Sequence, residues 1–450
     1  MKEHFQMKLN DSPFMRWTAL VLVASMMFFA YMFVDMLSPL KELLDTTLNW
    51  NSTTFGTYAA SEYFLNVFCF FLIFAGIILD KMGIRFTGLL SASLMVIGAC
   101  IKFYAMSEYF VGTGLEAWLN SWWVDLPGSA KLACFGFMIF GCGCEMAGTT
   151  VSKSIAKWFK GKEMAMAMGL EMSIARLGVF AVFRLSPALS TWANEAMPTV
   201  VTPVLFCTIL LVIGLLTYTI FTFMDKKLDA QAGVNASEEA EEQFKVSDIG
   251  ILFTSKTFLI VSGLCVLYYS AIFPFQKFAA NMLQSNLNIS ATEAADIFRW
   301  FPVGAACITP ILGWYLDRKG KGATMLILGS LLMIICHTTF ALVLPVVPSK
   351  AVAFAAIILL GISFSLVPAA LWPSIPKIMD KRYLGSAYSL IFWVQNFGLS
   401  GTPIIIGYAL EKSNPGVAEQ IAAGVEGVAY NYTVPMLLFA SLGVMALLFA

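Results

Sequence analysis

Apolar residues come in runs of about twenty, separated by short polar stretches, and the runs recur along the whole chain. Twelve are recognised, at roughly 17–39, 55–79, 86–106, 130–152, 164–188, 200–224, 257–283, 294–316, 322–344, 351–376, 384–410 and 432–450. Each is long enough to cross a hydrocarbon core of about 30 Å as a helix. A helix closes its own backbone hydrogen bonds where no water is available to do so. The pattern predicts an all-α membrane protein with twelve transmembrane helices.

Composition agrees: 59% of the 450 residues are hydrophobic and 12% charged. The net charge of zero says nothing about partners, because the distribution carries the information. With a cytoplasmic N-terminus, the loops on that side hold about nineteen Lys and Arg and the opposite loops about five. This bias predicts that both termini are cytoplasmic. The first span is too long for a cleavable signal peptide and lacks a small-residue cleavage site, so it is expected to remain as a helix. All nine cysteines fall in predicted spans, with no CxxC and no Cys/His cluster. No nucleotide loop, HExxH or GxSxG pattern occurs. Neither an enzyme, a metal nor a cofactor is expected, and nucleic acid is not an expected partner.

The segment "GIILDKMGIR" after the second span has a counterpart, "GWYLDRKGKG", after the eighth. Both read Gly-x-x-x-Asp-basic-x-Gly. The first glycine is expected to let helices approach closely, and the second to permit a tight turn. Two copies six helices apart indicate a duplicated six-helix unit. In this the chain resembles the major facilitator superfamily, whose signature loop has this form in each half. That resemblance implies two pseudo-symmetric six-helix bundles, residues 1–224 and 257–450, joined by a cytoplasmic linker at 225–256 that contains "NASEEAEEQ". Asp80 with Arg85, and Asp317 with Arg318, are expected to hold the cytoplasmic face closed through contacts at helix ends.

Charges inside spans cost roughly 2.5–3.5 kcal/mol at the bilayer centre and usually line a cavity or find a partner. Glu145, in "GCGCEMAG", and Arg176, in "MSIARLG", both fall near mid-depth on consecutive spans. A salt bridge that only pins two helices is one reading. The preferred one is a pair facing the pathway, holding opposite charges of a substrate, since a buried ion pair is by itself a poor stabiliser. Under an offset of 220 residues Gly141 maps to Gly361, Gly178 to Gly398, Lys162 to Arg382 and Arg176 to Asn396, with Ala175 mapping to Gln395. A central site with a charged wall and a neutral polar wall is expected. Arg184 reads as a snorkelling residue near a helix end. Glu171 is read equally as a partner for loop lysines or a substrate contact, and Glu62 and Arg299 as interfacial. Asp35 and Lys277 are candidates for gating or coupling, the latter beside Pro274, which allows a bend. Tyr268 and Tyr269 in "YYSAIFPF" and Trp372 in "VPAALWPSIPK" are candidate pocket walls, and His337 reads as packing.

The stretches "KWFKGKEMAMAMGLEMSIARLG", "VLYYSAIFPF", "LLGISFSLVPAALWPSIPK" and "LGSAYSLIFWVQNFGLS" resemble the lysosomal dipeptide uniporter branch of that superfamily. The resemblance covers Glu145, Arg176, Tyr268, Tyr269, Trp372, Gln395 and Asn396. It implies that Glu145 receives the α-ammonium of a dipeptide and Arg176 its carboxylate. Glu171, Arg184 and Lys277 are extra charges outside the pattern. The expected activity is facilitative transport of dipeptides or short peptides; the alternatives are a proton-coupled carrier of organic anions or drugs, and a non-transporting receptor. The N-terminal "MKEHFQMKLNDSPF" has no acidic dileucine signal, so a bacterial-type plasma membrane is expected in preference to a lysosome. No accessory subunit can be read from the sequence.

Overall fold

Each long apolar run becomes a helix, and the helices cross one slab in alternating directions. The computed structural model describes residues 8–232, 247–319, 321–380, 383–425 and 427–450. The first span is α1 (Pro13–Asp35), opened by proline at its first turn, where a missing N–H costs nothing. It continues through a 3-10 turn into α2 (Lys41–Leu48). The second span is broken: α3 (Ser52–Ser61), α4 (Phe64–Phe68), then the start of α5 (Phe71–Met106). Within α5, Gly83 has φ 73° and ψ 172°, so it turns the chain from the second span into the third. That is the role expected of the second signature glycine; its counterpart Gly320 lies outside the described residues.

A short α6 (Gly114–Asn120) precedes α7 (Gly128–Trp158), α8 (Met164–Thr191) and α9 (Val201–Ala232), which complete six spans. The second set opens with α10 (Asp248–Thr254) and α11 (Lys256–Leu287). Its eighth span is α12 (Ala291–Phe298) with α13 (Trp300–Lys319). Then come α14 (Gly322–Thr338), α15 (Lys350–Ile378), α16 (Leu384–Ser413), the short α17 (Val417–Ala422) and α18 (Thr433–Phe449). Among the described residues, nine helices meet length and hydropathy requirements for a span unaided, and α18 is a shorter apolar helix. The broken second span and the divided eighth complete the twelve of a multi-pass membrane protein. Large apolar side chains such as Phe14, Val21, Phe223 and Leu448 project outward, as a lipid-facing surface requires.

The repeat is visible in how the helices touch. Gly141 of α7 lies against the carbonyl of Glu62 in the second span, and Gly361 of α15 against the carbonyl of Phe301 in the eighth. Gly178 of α8 lies on the Phe28 carbonyl of α1, and Gly398 of α16 on Val266 and Ser270 of α11. Fourth on second, tenth on eighth, fifth on first and eleventh on seventh are the same contacts made twice. The expectation for Gly76 is corrected: no atom approaches the place a Cβ would take, and the residue borders a cleft instead.

The ends of the second and third spans define a loop side; the opposite face is the far side. Around the loop side, Asp80 pairs with Lys153 of α7 at 2.9 Å, while Arg85 reaches Asp229 of α9 at 2.9 Å and Asp225 at 3.6 Å. Lys157 joins the same two aspartates, and Trp158 donates to Asp225 through Nε1. These contacts knit the first half to itself. In this state Asp80 and Arg85, expected to hold the cytoplasmic face closed through contacts at helix ends, each pair within the first half. α9 runs on through Asp225, which is fully buried, to Ala232, so that residue is a helix anchor within the sequence-defined linker. The side chain of Asp317 and all of Arg382 lie outside those described; Arg318 is exposed.

Candidate functional site

A cavity of about 580 Å³ lies at mid-depth between the two halves. The first half gives it one wall from α1, the second span, α7 and α8; α11, α13, α15 and α16 give the other. Glu145, Arg176, Tyr269, Trp372, Gln395 and Asn396 all line it, as do Asp35 and Lys277. A second cleft of about 720 Å³ shares Glu145, Gly148, Ser152 and Phe392 with it and runs to Asp80 and Lys153 at the loop side.

Glu145 of α7 and Arg176 of α8 both face the central cavity. Glu145 borders both hollows, beside Gly148, whose missing side chain leaves the opening between them. The Arg176 guanidinium lies 5.1 Å from the centre of the Phe364 ring, a cation–π contact that orients the fork. The opposing wall is aromatic and neutral. Trp372 donates its indole N–H to the Tyr269 hydroxyl at 2.9 Å and stacks on Phe392 at 4.7 Å. The indole is thereby fixed as a flat wall, with its polar edge satisfied. Next to it, Asn396 is buried with its Nδ2 unpartnered, a donor without an acceptor in a hollow.

Tyr268 is placed differently from its neighbour. It is fully buried, and its hydroxyl meets the carbonyl and hydroxyl of Ser363 on α15. It does not border the cavity, so the expectation that it contacts ligand is corrected: it fastens α11 to α15. His337 is buried with Nε2 3.0 Å from the Ala271 carbonyl, a packing role as expected.

One charge stands elsewhere than expected. Glu62 sits in the break of the second span, buried and lining the cavity, not at an interface. It was legible only as the middle of Tyr58, Glu62 and Asn66, polar positions four apart in an apolar run. Arg184 pairs with Asp296 at 3.1 Å, and Arg299 with the same aspartate at 3.4 Å, joining α8 to the eighth span at the far side. Glu171 lines the cavity. Tyr31, one turn before Asp35 on α1, also lines it, and nothing in the sequence distinguishes it from the other aromatics of its span.

The far side is closed by contacts between halves. Besides Arg184 and Asp296, Gln284 donates to Glu42 at 2.6 Å, Tyr430 to Asp45 at 2.9 Å, and the Ser52 amide to Glu411 at 3.0 Å. Deeper, Lys277 of α11 pairs with Asp35 of α1 at 3.0 Å.

Comparison with known proteins places these features in a family. A profile described as Major Facilitator Superfamily matches residues 23–403 and, again, 274–450. The lysosomal dipeptide transporter MFSD1 of Homo sapiens is 25% identical over 410 residues, spanning 88% of this chain and 80% of that protein. The Danio rerio protein of the same name is 26% identical over 405 residues, 88% of this chain and 81% of its own. Among solved structures, the nucleoside transporter NupG superposes with a TM-score of 0.64 at 15% identity, covering 96% of this chain and 98% of its own. A D-xylose-proton symporter gives 0.68 at 13% identity over 97% of each. At such identity the solved structures speak for the fold alone.

Proposed function

We propose that this chain, which belongs to the Major Facilitator Superfamily and is a multi-pass membrane transporter rather than an enzyme, carries dipeptides or other short peptides by facilitated uniport. One observation carries the reading: a basic and an acidic side chain, Arg176 and Glu145, line one cavity between the halves. A short peptide in its zwitterionic form has the complementary charges at its two ends. Arg176 would grip the carboxylate through two parallel hydrogen bonds, and Glu145 would accept from the ammonium. Gln395 and the Asn396 amide would meet the peptide bond, with Trp372 and Tyr269 against the side chains. The volume, about 580 Å³, is within the roughly 300–1,000 Å³ of small-molecule sites. The relatives' printed name, a dipeptide transporter, supports the same substrate class.

The conformation suits the inward-facing half of an alternating-access cycle, with residues 1–224 and 257–450 as the two moving bodies. Substrate would enter or leave past Asp80 and Lys153, while the far-side contacts stay shut. The membrane is proposed to be a bacterial-type plasma membrane with both termini cytoplasmic, although the relatives are named for the lysosome. Uptake of labelled dipeptide by proteoliposomes tests the assignment, with free amino acids, N-acetylated dipeptides and organic anions as competitors. Dipeptides should compete and the N-acetylated forms should not. Equal competition by organic anions would overturn the substrate class.

A further inference from the structure

Lys277 has an unusual set of neighbours for a lysine within a span. Its Nζ lies 2.9 Å from the Val34 carbonyl, 3.0 Å from Asp35 Oδ1 and 3.8 Å from Glu62 Oε2. Gln276 donates to the other Asp35 oxygen, and Ser38 donates to Oδ1 at 3.3 Å. Glu62 is 5% exposed, and its Oε2, aimed at this amine, has no hydrogen-bond partner. Other titratable groups approach from neighbouring helices without taking this place. Lys102 of α5 points its Nζ at the rings of Phe33, Tyr58 and Phe137, at 4.3, 4.9 and 4.6 Å. Glu145 of α7, with Glu171 and Arg176 of α8, lines the same cavity. Among the described residues, Lys277 is the cation with which Asp35 and Glu62 are paired.

Two carboxylates and a backbone carbonyl are a hard-oxygen donor set, the kind that takes a proton or a small alkali cation. Here an ammonium fills it. The oxygens belong to the first half and the amine to the second, so opening of the far side must part them. We infer that Lys277 is a tethered counter-cation, standing where an ion-coupled carrier would bind a travelling proton or sodium ion. Because the amine is covalently held, it withdraws with α11 when the far side opens instead of escaping to solution. The cycle then neutralises the two buried carboxylates in the closed state and carries no ion across. This rests on the uniport reading above and supplies its cause.

Removal of the amine leaves two buried carboxylates without a counter-charge, a state unfavourable until a cation binds. By linkage, far-side closure then depends on that cation, and the cation on closure. Lys277→Met in proteoliposomes, compared with the unaltered chain, tests this. The unaltered chain should equilibrate dipeptide and never accumulate it under a proton or sodium gradient. The variant should be slow in alkaline, sodium-free buffer and gain about tenfold or more on acidification or with sodium, accumulating dipeptide against its gradient. The triple variant Asp35→Asn, Glu62→Gln, Lys277→Met should lose that cation dependence. Dipeptide-induced thermal stabilisation verifies folding, and Lys277→Gln replaces Lys277→Met should the latter not fold. Cation-independent turnover by a folded Lys277 variant, its inactivity under every cation condition, or a triple variant that still needs a cation would each overturn the inference while leaving uniport standing. Uphill accumulation by the unaltered chain would overturn uniport and the inference together.

Discussion

At the scale of single residues, the proposed peptide site gives each end of its ligand its own signature. If Arg176 grips the carboxylate as proposed, Arg176→Ala removes two charge-assisted hydrogen bonds, each worth about 1.5–3 kcal/mol, and uptake should fall about a hundredfold or more. Arg176→Lys keeps the charge but loses the fork and should fall about tenfold. The amino end is isolated by pairing chemistry with mutation: N-acetylation should abolish competition in the unaltered chain yet make little further difference in Glu145→Gln. A competition assay on the four combinations reads this directly, and equal loss in both backgrounds would remove Glu145 from that role. Tyr268→Phe should lower thermal stability, by about 0.5–1.5 kcal/mol for its hydrogen bond to Ser363, while leaving dipeptide KM unchanged. These two tyrosines also mark the limit of legibility. Glu145 and Arg176 stood out because a charge in an apolar run is costly, and depth follows from position along the span. Which of two adjacent residues faces the cavity depends on absolute rotation, since neighbours on a helix differ by about 100°. Nothing in "YYSAIFPF" fixes that rotation.

At the scale of elements, the strongest forecast from sequence was the repeat, because glycines that admit a neighbouring backbone recur at one offset in both halves. Gly178→Val would drive a side chain into the Phe28 carbonyl of α1, with overpacking of about 1–3 kcal/mol or more. A lowered melting temperature with loss of extractable monomer is the expected result. The break in the second span was not foreseen, as residues 55–79 read as one apolar run. Phe70 adopts φ 53° there, a conformation disfavoured for non-glycine residues, and its ring stacks on Trp393 at 5.2 Å. Tertiary contact with the other half sustains what local preference opposes, and that contact is invisible in one sequence. Asp225 was hidden for a related reason: a charge run that looks solvated begins with a residue holding Arg85, Lys157 and Trp158 together. Asp225→Ala should cost about 2–3 kcal/mol, less than a wholly buried pair, because both basic partners keep access to water. Thermal unfolding of the purified variant measures it.

At the scale of the whole molecule, the two halves meet through polar contacts at the far side, and a cleft runs from the central cavity to the loop side. On the proposed alternating-access cycle this arrangement exchanges for its opposite, so the far-side contacts can stabilise closure only modestly. Arg184 is 51% exposed and Asp296 33%, which suits a contact worth about 1 kcal/mol or less. Removing it should therefore shift a population rather than unfold the protein. Cys144 provides the reporter, since it lines the cavity and is partly accessible. In a variant retaining only this cysteine, a membrane-impermeant thiol reagent should label it from the loop side, and bound dipeptide should protect it. Labelling from the far side should be slow, and Asp296→Asn should speed it by up to about fivefold without altering labelling in the presence of saturating dipeptide. Because the inward-facing state stays the major one, the same substitution should leave dipeptide binding offered from the loop side almost unchanged. Fast far-side labelling of the parent would mean that these contacts do not close that face, and that the cycle is gated at another level of the bundle.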